Sequence, residues 1–228
     1  LPSGYEAELH PVYKLPKIYE RLQPQKEQYN FRPKKTRANS NRFDLITIAD
    51  PQVNSTDDIS RFEKEIISDV IKYVKSAGVP CYGITLGDHV NNKWKLFSNL
   101  LMTMRYDISN IQIYPTVGNH DFEFPKNTEA ESLRKYENYF GPTEYSINIG
   151  DTHIVSINNV LHTYTGSANY EAGLSETRLE WLKQDLSYVP KDKMVILCLH
   201  IPIINKVTIK YNTEILNMLA EFKTAAIM

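Results

Sequence analysis

From about residue 42 onward, short apolar segments alternate with segments of helical periodicity, and this alternation restricts the possible folds more than any other feature of the sequence. The apolar runs predict buried strands at Phe43–Ala49, Val79–Leu86, Ile111–Val117, Met194–Leu199 and Ala225–Met228. Tyr145–Ile149 and His153–Asn158 are predicted to form a hairpin around the turn signal Gly150-Asp151. Because strands that alternate with helices form α/β folds, we predict an α/β fold with an antiparallel hairpin inserted.

Helical segments lie between these strands. The first begins after the N-cap candidates Ser55 and Thr56 and ends at Gly78. Its apolar residues recur at three- and four-residue spacing, as on the buried face of a helix: Ile59, Phe62, Ile66, Val70 and Val74. Further helices are predicted over residues 94–105, 128–139, 175–186 and 213–222.

The N-terminal segment, residues 1–42, differs from the rest of the chain. Prolines and tyrosines are scattered along it, and no stretch keeps a helical or strand period for long. Because proline fixes φ and removes a hydrogen-bond donor, we predict an extended strap whose aromatic side chains pack onto a neighbouring surface. The sequence therefore divides into a linker, 1–42, and a domain, 43–228.

Composition excludes several classes of protein. The 228 residues carry 26 Lys and Arg against 27 Asp and Glu, so the near-neutral charge argues against a nucleic-acid partner. The longest apolar run, residues 194–204, is broken by His200 and Pro202, so no membrane span is expected. Two cysteines, Cys81 and Cys198, cannot form a disulfide framework and are expected in the core. The sequence gives no indication of the oligomeric state.

Four apolar strands each run into a polar group that can bind metal. These groups are Asp50, Asp88, Asn119 and His200. Taken singly, such an aspartate is more often a turn former or helix N-cap, and such a histidine is more often structural. Because ligands of open α/β sheets bind beyond the carboxyl ends of the strands, the four together favour a metal site.

The residue types fit a pair of divalent cations. Asp88 is the natural bridge between two ions, which can share a hydroxide nucleophile. Asp50 and Gln52 can converge on one ion, and Asn119 and His200 can complete the other. Mixed oxygen and imidazole ligands suit Mn, Fe, Zn or Mg and do not select one of them.

His120 is the candidate general acid. It lies between Asn119 and Asp121, and an aspartate beside a histidine can fix its tautomer and raise its pKa. A protonated ring would then protonate a leaving alkoxide. The alternatives are a further metal ligand or an ordinary loop residue. His89 directly follows the candidate ligand Asp88. It is expected to form a pocket wall or to support the ligands from behind.

The loop Val160–Gly173 is a weaker candidate for substrate contact. It is rich in Tyr, Ser and Asn, and His162, Tyr164 and Tyr170 would be its contacting side chains. An ordinary surface loop has the same composition, so this alternative stays open.

The motifs together resemble those of the calcineurin-like metallophosphoesterases. They are Asp50-Pro51-Gln52, Gly87-Asp88, Gly118-Asn119-His120-Asp121 and the strand-end His200. The resemblance implies a four-layer α/β/β/α sandwich, a binuclear metal centre, and hydrolysis of a phosphorylated small molecule or other phosphoester with His120 beside the leaving group. The similarity runs from about Phe43 to Met228, most closely to a bacterial multi-domain branch whose members are usually exported to the periplasm, cell surface or medium. By that likeness, Leu1–Ala7 would end a preceding small β domain.

Two departures from the family pattern qualify these expectations. Gln52 replaces the more usual histidine, which exchanges a nitrogen ligand for a weaker amide oxygen. The family's last motif, Gly-His-x-His, is missing, and it normally follows a strand like Ala225–Met228. We therefore expect a sandwich that is incomplete at the C-terminus, with weak or partial metal occupancy and little activity in this chain.

Three functions are compatible with the sequence. The first is a metal-dependent phosphomonoesterase or phosphodiesterase. The alternative is a non-catalytic phosphate- or glycan-binding module with a weakened metal site, which Gln52 and the missing terminal histidines motivate. A nuclease would use the same centre, but the neutral charge disfavours it.

Overall fold

A computed structural model describes residues 1–36, 41–163, 169–203 and 209–228 of the chain. Two β-sheets form the centre of the molecule. The first is a three-stranded parallel sheet in the order β5-β6-β7, with β5 at Asp44–Ile48, β6 at Cys81–Leu86 and β7 at Gln112–Thr116. Its strands agree with the first three apolar runs of the sequence. Because all three strands are parallel, their carboxyl ends lie at one edge of the sheet.

The second sheet is mixed and has four strands in the order β13-β12-β9-β8. Strands β8, Tyr145–Ile149, and β9, Thr152–Ser156, form the predicted antiparallel hairpin. Strand β12, Met194–Cys198, pairs in parallel with β9 and with the last strand, β13, Thr224–Ile227. The carboxyl end of β12, where His200 follows, therefore lies at the same end of its sheet as the carboxyl end of β9.

Seven α-helices occur among the described residues, and short helical turns extend three of them. Their bounds are α1 Thr56–Phe62, α2 Ser68–Ser76, α3 Phe97–Thr103, α4 Tyr106–Ser109, α5 Glu129–Tyr139, α6 Glu176–Ser187 and α7 Asn212–Ala220. A π-helical turn, Glu63–Ile67, joins α1 to α2, and a 3-10 turn, Trp94–Leu96, precedes α3. The N-cap expected at Ser55 is present, and Ser175 is the N-cap of α6. No helix in the described parts of the chain is both long and apolar enough to span a membrane.

Three hydrophobic cores show how these elements are layered. One core lies between the two sheets and joins Ile84 and Tyr114 of the first to Ile147 and Ile196 of the second. A second core packs helices α1 to α3 and α5 onto the first sheet. A third packs α6 and α7 onto the second sheet. The predicted four-layer α/β/β/α sandwich is therefore confirmed.

The π-helical turn changes one detail of the predicted helix. A continuous α-helix would bury Ile66, but its side chain is 45% exposed, whereas Ile67 is fully buried. A π turn adds one residue to the helical repeat, so the buried position moves from Ile66 to Ile67. The expectation that Ile66 lies on the buried face is therefore wrong.

Residues 1–36 form two small antiparallel pairs against the domain. Strand β1, Tyr5–Glu6, pairs with β4, Lys34–Lys35, and β2, Glu8–Leu9, pairs with β3, Pro16–Lys17. The Tyr13 ring meets Tyr139 of α5 edge-on, and Gln112 of β7 donates a hydrogen bond to the Ala7 carbonyl. A last small pair joins strands β10, Val160–His162, and β11, Tyr170–Ala172.

Candidate metal centre

Three of the predicted ligands converge on one point. The candidate ligand atoms of Asp50, Asp88 and His200 all lie within 4.8 Å of one another. Asp50 follows β5 and Asp88 follows β6 in the first sheet, whereas His200 follows β12 in the second. The packing of the two sheets therefore joins residues that are 150 positions apart in the chain.

The backbone at Asp50, Gln52 and Asp88 adopts a conformation that is unfavourable for residues other than glycine. Asp50, Gln52 and Asp88 have φ angles of 48°, 42° and 51°, in the left-handed region. Such a conformation costs about 1–3 kcal/mol per non-glycine residue and persists where surrounding contacts impose it. The Gln52 N–H donates to the Asp88 carbonyl at 2.8 Å, so the two strained turns support each other.

Two glycines allow the turns to approach closely. A Cβ added to Gly118 would lie 2.2 Å from the Asp88 backbone nitrogen. A Cβ added to Gly87 would lie 2.7 Å from Nδ1 of His200 and from the Gly118 backbone, and its φ of +93° also favours glycine. Any larger residue at either position would push the ligand-bearing turns apart.

Asp88 is the buried centre of the site. Its residue is only 2% exposed, and Oδ1 accepts a hydrogen bond from the His120 backbone at 2.8 Å while Oδ2 accepts one from Nε2 of Gln52 at 3.0 Å. Burial raises the pKa of Asp88, and the nearby His200 partly offsets this rise. In the described part of the chain, its ion-pair partners are His120 and His200, with no lysine or arginine. A buried carboxylate without a permanent cation beside it fits a metal ligand.

The His200 ring is oriented for metal binding. Its Nδ1 lies 2.8 Å from the Leu86 carbonyl oxygen, which only accepts hydrogen bonds, so Nδ1 carries a proton. Nε2 then faces the centre, 2.8 Å from Oδ1 of Asn119 and 3.3 Å from Oδ1 of Asp88. A carbonyl that fixes the tautomer in this way is the usual second partner of a metal-binding histidine.

The two predicted amide ligands border the same point. Gln52 donates a hydrogen bond to Asp88 through Nε2, and Oδ1 of Asn119 lies 2.8 Å from Nε2 of His200. Carboxylate, amide and imidazole groups therefore meet in one place, and this donor set fits a divalent cation such as Mn, Fe, Zn or Mg.

His120 lies at the edge of the centre. Its side chain is 31% exposed, and Nε2 is 3.9 Å from Oδ2 of Asp88. The indole N–H of Trp94 donates to the His120 carbonyl at 3.1 Å, and Lys135 lies over the Trp94 ring. The ring is thus both near the candidate ligands and open to solvent, as a proton donor to a substrate must be.

Asp121 does not orient His120, and that expectation is wrong. The Asp121 carboxylate is fully buried and accepts three hydrogen bonds at 2.9 Å, from the His89 backbone, the His89 Nδ1 and the Gly118 backbone. The opposite nitrogen of His89 lies 2.8 Å from Oγ1 of Thr85. Successive side chains of the 3-10 turn Asn119–Asp121 point in different directions, so Asp121 faces inward while His120 faces the opening. The pair Asp121 and His89 therefore joins the turn that carries Asp88 to the turn that carries Asn119.

The region around the centre offers an open surface on one side. A groove of about 510 Å³ lies beside Asp50 and Gln52 and is also lined by Arg61. In the loop over residues 160–173, His162 and Tyr170 pack their rings against Phe124. Tyr164 lies outside the described residues.

The sequence analysis missed Asn159, a fully buried residue beside His200. A signal was present, because Asn158 and Asn159 follow the apolar strand β9 just as the candidate ligands follow theirs. Asparagine after a strand is also a common turn residue, so this signal alone does not distinguish a turn from a supporting role.

The fold is an α/β/β/α sandwich with a candidate metal centre where strands of its two sheets end. A family model described as calcineurin-like phosphoesterase matches residues 43–227. The chain therefore belongs to the calcineurin-like phosphoesterase family, and the resemblance drawn from its motifs is confirmed. Membership supports phosphoester hydrolysis as the general reaction and divalent metals as the cofactors.

Comparison with other proteins adds two distant likenesses of fold. A search among curated proteins gave no match. The structure is similar to purple acid phosphatase PPD1 from yellow lupin (Lupinus luteus) seeds, with 14% identity, a TM-score of 0.45, and coverage of 67% of this chain and 29% of the phosphatase. It is also similar to the phosphopantetheinyl hydrolase of Mycobacterium tuberculosis, with 11% identity, a TM-score of 0.43, and coverage of 80% and 76%. The chain thus spans less than a third of the lupin phosphatase.

Proposed function

We propose that this protein hydrolyses phosphoric esters, either monoesters or diesters, at a metal centre held by Asp50, Gln52, Asp88, Asn119 and His200. The observation that carries the proposal is the convergence of Asp50, Asp88 and His200 within 4.8 Å, from strands of two different sheets. Its support is family membership over residues 43–227. A phosphorylated small molecule is the proposed substrate.

The proposed centre is binuclear, with Asp88 between the ions. Asp50 and Gln52 would hold one ion, and Asn119 and His200 would hold the other. When bound, two divalent ions supply a nucleophile at neutral pH and stabilise the attacking and leaving oxygens. Asp88 would contribute both carboxylate oxygens, which accept hydrogen bonds from the His120 backbone N–H and from Nε2 of Gln52 in this structure.

His120 is proposed as the general acid. Its ring is near Asp88 and partly exposed, so it can contact an ester bound at the centre. The His120 backbone N–H is held by Asp88 and its carbonyl by Trp94, which fixes the residue on both sides. Protonation of the leaving oxygen by this ring would be needed for alkyl esters and less so for aryl esters, whose leaving groups are more acidic.

The test measures metal binding and turnover separately. The purified chain is assayed with p-nitrophenyl phosphate and bis-p-nitrophenyl phosphate at saturating Mn²⁺, and bound Mn²⁺ is measured by equilibrium dialysis. We expect weak but measurable Mn²⁺-dependent hydrolysis, in keeping with the low activity predicted for this chain. Asp88→Asn should abolish it, because the buried carboxylate charge at the centre is lost. Asp69→Asn is the control, since Asp69 is an exposed carboxylate paired with Lys72.

The outcomes separate the two candidate functions. Turnover of neither ester by a chain that binds Mn²⁺ would refute catalysis and favour the alternative, a non-catalytic phosphate- or glycan-binding module. Absence of Mn²⁺ binding would refute the proposed centre itself. Two ions per chain would contradict the weakened site on which the binding-module alternative depends.

Other parts of the interpretation also stand as proposals. We propose the division into a linker, 1–42, and a catalytic domain beginning at residue 43. Export to the periplasm, cell surface or medium, and the absence of a nucleic-acid partner, stay predictions from the sequence.

A further inference from the structure

Asn159 holds the backbone that carries His200. It is fully buried in the turn between β9 and β10. Its Oδ1 accepts hydrogen bonds from the His200 N–H at 3.2 Å and the Ile201 N–H at 3.0 Å, and its Nδ2 donates to the Ile201 carbonyl at 2.6 Å. One side-chain amide therefore satisfies three backbone groups of the His200 loop.

The orientation of this amide is determined by its partners. Oδ1 faces two N–H donors and Nδ2 faces a carbonyl acceptor, so a flipped amide would oppose like groups at all three contacts. The Asn159 backbone is itself fixed, because its carbonyl accepts from the Gly173 N–H at 2.9 Å. The amide is thus held in a single geometry.

The amide continues a strand pairing that the backbone cannot complete. Strands β9 and β12 pair up to Ser156 and Cys198, and the Ile157 N–H still donates to the Cys198 carbonyl at 3.1 Å. Leu199 still donates to the Met228 carbonyl on the β13 side at 3.0 Å, but on the β9 side the pairing ends here, and the backbone groups of His200 and Ile201 need other partners. Asn159 supplies them with a side chain that has the same donor and acceptor as a peptide group.

We propose that Asn159 is a positioning residue for the metal centre. By fixing the His200 backbone, Asn159 sets the affinity of the centre for its cation. The inference rests on the proposed function, because it requires His200 to be a ligand. The His200 ring is restrained on its other side by the Leu86 carbonyl, so Asn159 and Leu86 hold it from two sheets. Loss of the amide would let the loop shift while the ring stays tied to Leu86, which would tilt Nε2 away from Asp88.

The chain offers a matched control in the next residue. Asn158 is also fully buried, but its Oδ1 accepts from the Val160 N–H within its own turn, and its Nδ2 points to Glu129. Asn158→Ala and Asn159→Ala therefore remove the same buried amide from the same turn. Only the second removes the side chain that pairs with the backbone of His200 and Ile201.

The experiment measures Mn²⁺ affinity, by equilibrium dialysis with electron paramagnetic resonance detection of free Mn²⁺, for the full chain and these variants. We expect Asn159→Ala to raise the dissociation constant about 10-fold or more, as changes behind a metal ligand do, and Asn158→Ala to change it less than about 2-fold. Asn159→Asp should fall between them, because it keeps the acceptor for both N–H groups but replaces the donor by an oxygen that repels the Ile201 carbonyl. Urea unfolding of each variant separates loss of stability from loss of affinity.

Each outcome decides the proposal. Equal affinities for Asn159→Ala and Asn158→Ala would overturn it, even if both were less stable than the wild type. If Asn159→Ala does not fold, Asn159→Asp provides the comparison, and wild-type affinity in that variant would overturn the proposal. Mn²⁺ binding by the wild type that Asp88→Asn abolishes would keep the proposed metal centre whatever the result at Asn159, whereas a wild type that binds no Mn²⁺ would overturn both the centre and the role of Asn159.

Discussion

Replacing Asp121 by asparagine distinguishes a carboxylate that orients His120 from one that joins two turns. The structure supports the second role, because Asp121 accepts all three of its hydrogen bonds from His89 and Gly118. An asparagine has nearly the same shape, so the variant changes hydrogen bonding with little change in packing. The expected effect is therefore on stability.

The magnitude follows from counting donors and acceptors. All three partners donate to the carboxylate, and in either orientation the amide of an asparagine would place its NH₂ against a buried backbone N–H. One bond to a charged group, about 1.5–3 kcal/mol, is lost, and the remaining two become weaker neutral bonds. Relief of the cost of burying a charge offsets part of this loss. We expect a decrease of about 2–3 kcal/mol in the free energy of unfolding.

Urea denaturation followed by circular dichroism measures this change, with Asp69→Asn as the exposed control. For an m-value of about 3 kcal/mol per molar urea, the midpoint of Asp121→Asn should fall by roughly 0.7–1 M. The control, Asp69→Asn, should unfold at the same urea midpoint as the wild type. A wild-type midpoint for Asp121→Asn, together with an altered pH dependence of hydrolysis, would refute the structural reasoning and restore the pairing of Asp121 with His120.

Three further outcomes can be measured. Gly118→Ala should lower Mn²⁺ affinity at least about 10-fold in the dialysis assay, because its Cβ would lie 2.2 Å from the Asp88 nitrogen; unchanged affinity would show that the turns need no close approach. His153→Ala should destabilise the fold by about 3 kcal/mol in urea, because it leaves the Asp185 carboxylate, 2.8 Å from the ring, without its buried partner; a change below about 1 kcal/mol would contradict this. Burial raises the pKa of Cys198 to about 12, so at pH 8 this thiol is protonated and should resist iodoacetamide until the chain unfolds; mass spectrometry that finds it alkylated in the native protein would refute its burial.

The strand-end rule explains why much of the candidate centre could be predicted. Asp50, Asp88 and Asn119 each follow an apolar strand of a parallel sheet, and parallel strands joined by helical crossovers have their carboxyl ends at one edge. That geometry depends only on the order of strands and helices, which periodicity reveals. The same rule placed His200 at the site, but its strand β12 lies in the second sheet, so its approach depends on how the two sheets pack.

Side-chain direction could not be predicted in the same way. Asp121 was paired with His120 because the two are adjacent, but a 3-10 turn points adjacent side chains apart and delivers Asp121 to His89, 32 residues away in the chain. Ile66 was expected to be buried because the sequence does not reveal the π turn that moves the buried position to Ile67. In each case a local helical turn changes the direction in which a single side chain points. The pattern of apolar residues in the sequence does not reveal such a change.

The sequence by itself therefore determined the α/β class, the four-layer arrangement through its family motifs, and the residues that end the strands. These are properties of local periodicity and of short motifs, which act over a few residues. Only the tertiary structure decided which buried group supports which ligand, as Asn159 supports His200 and His89 meets Asp121. The physical reason is that a buried hydrogen bond needs a donor and an acceptor within about 3 Å, and packing of distant segments alone brings them so close.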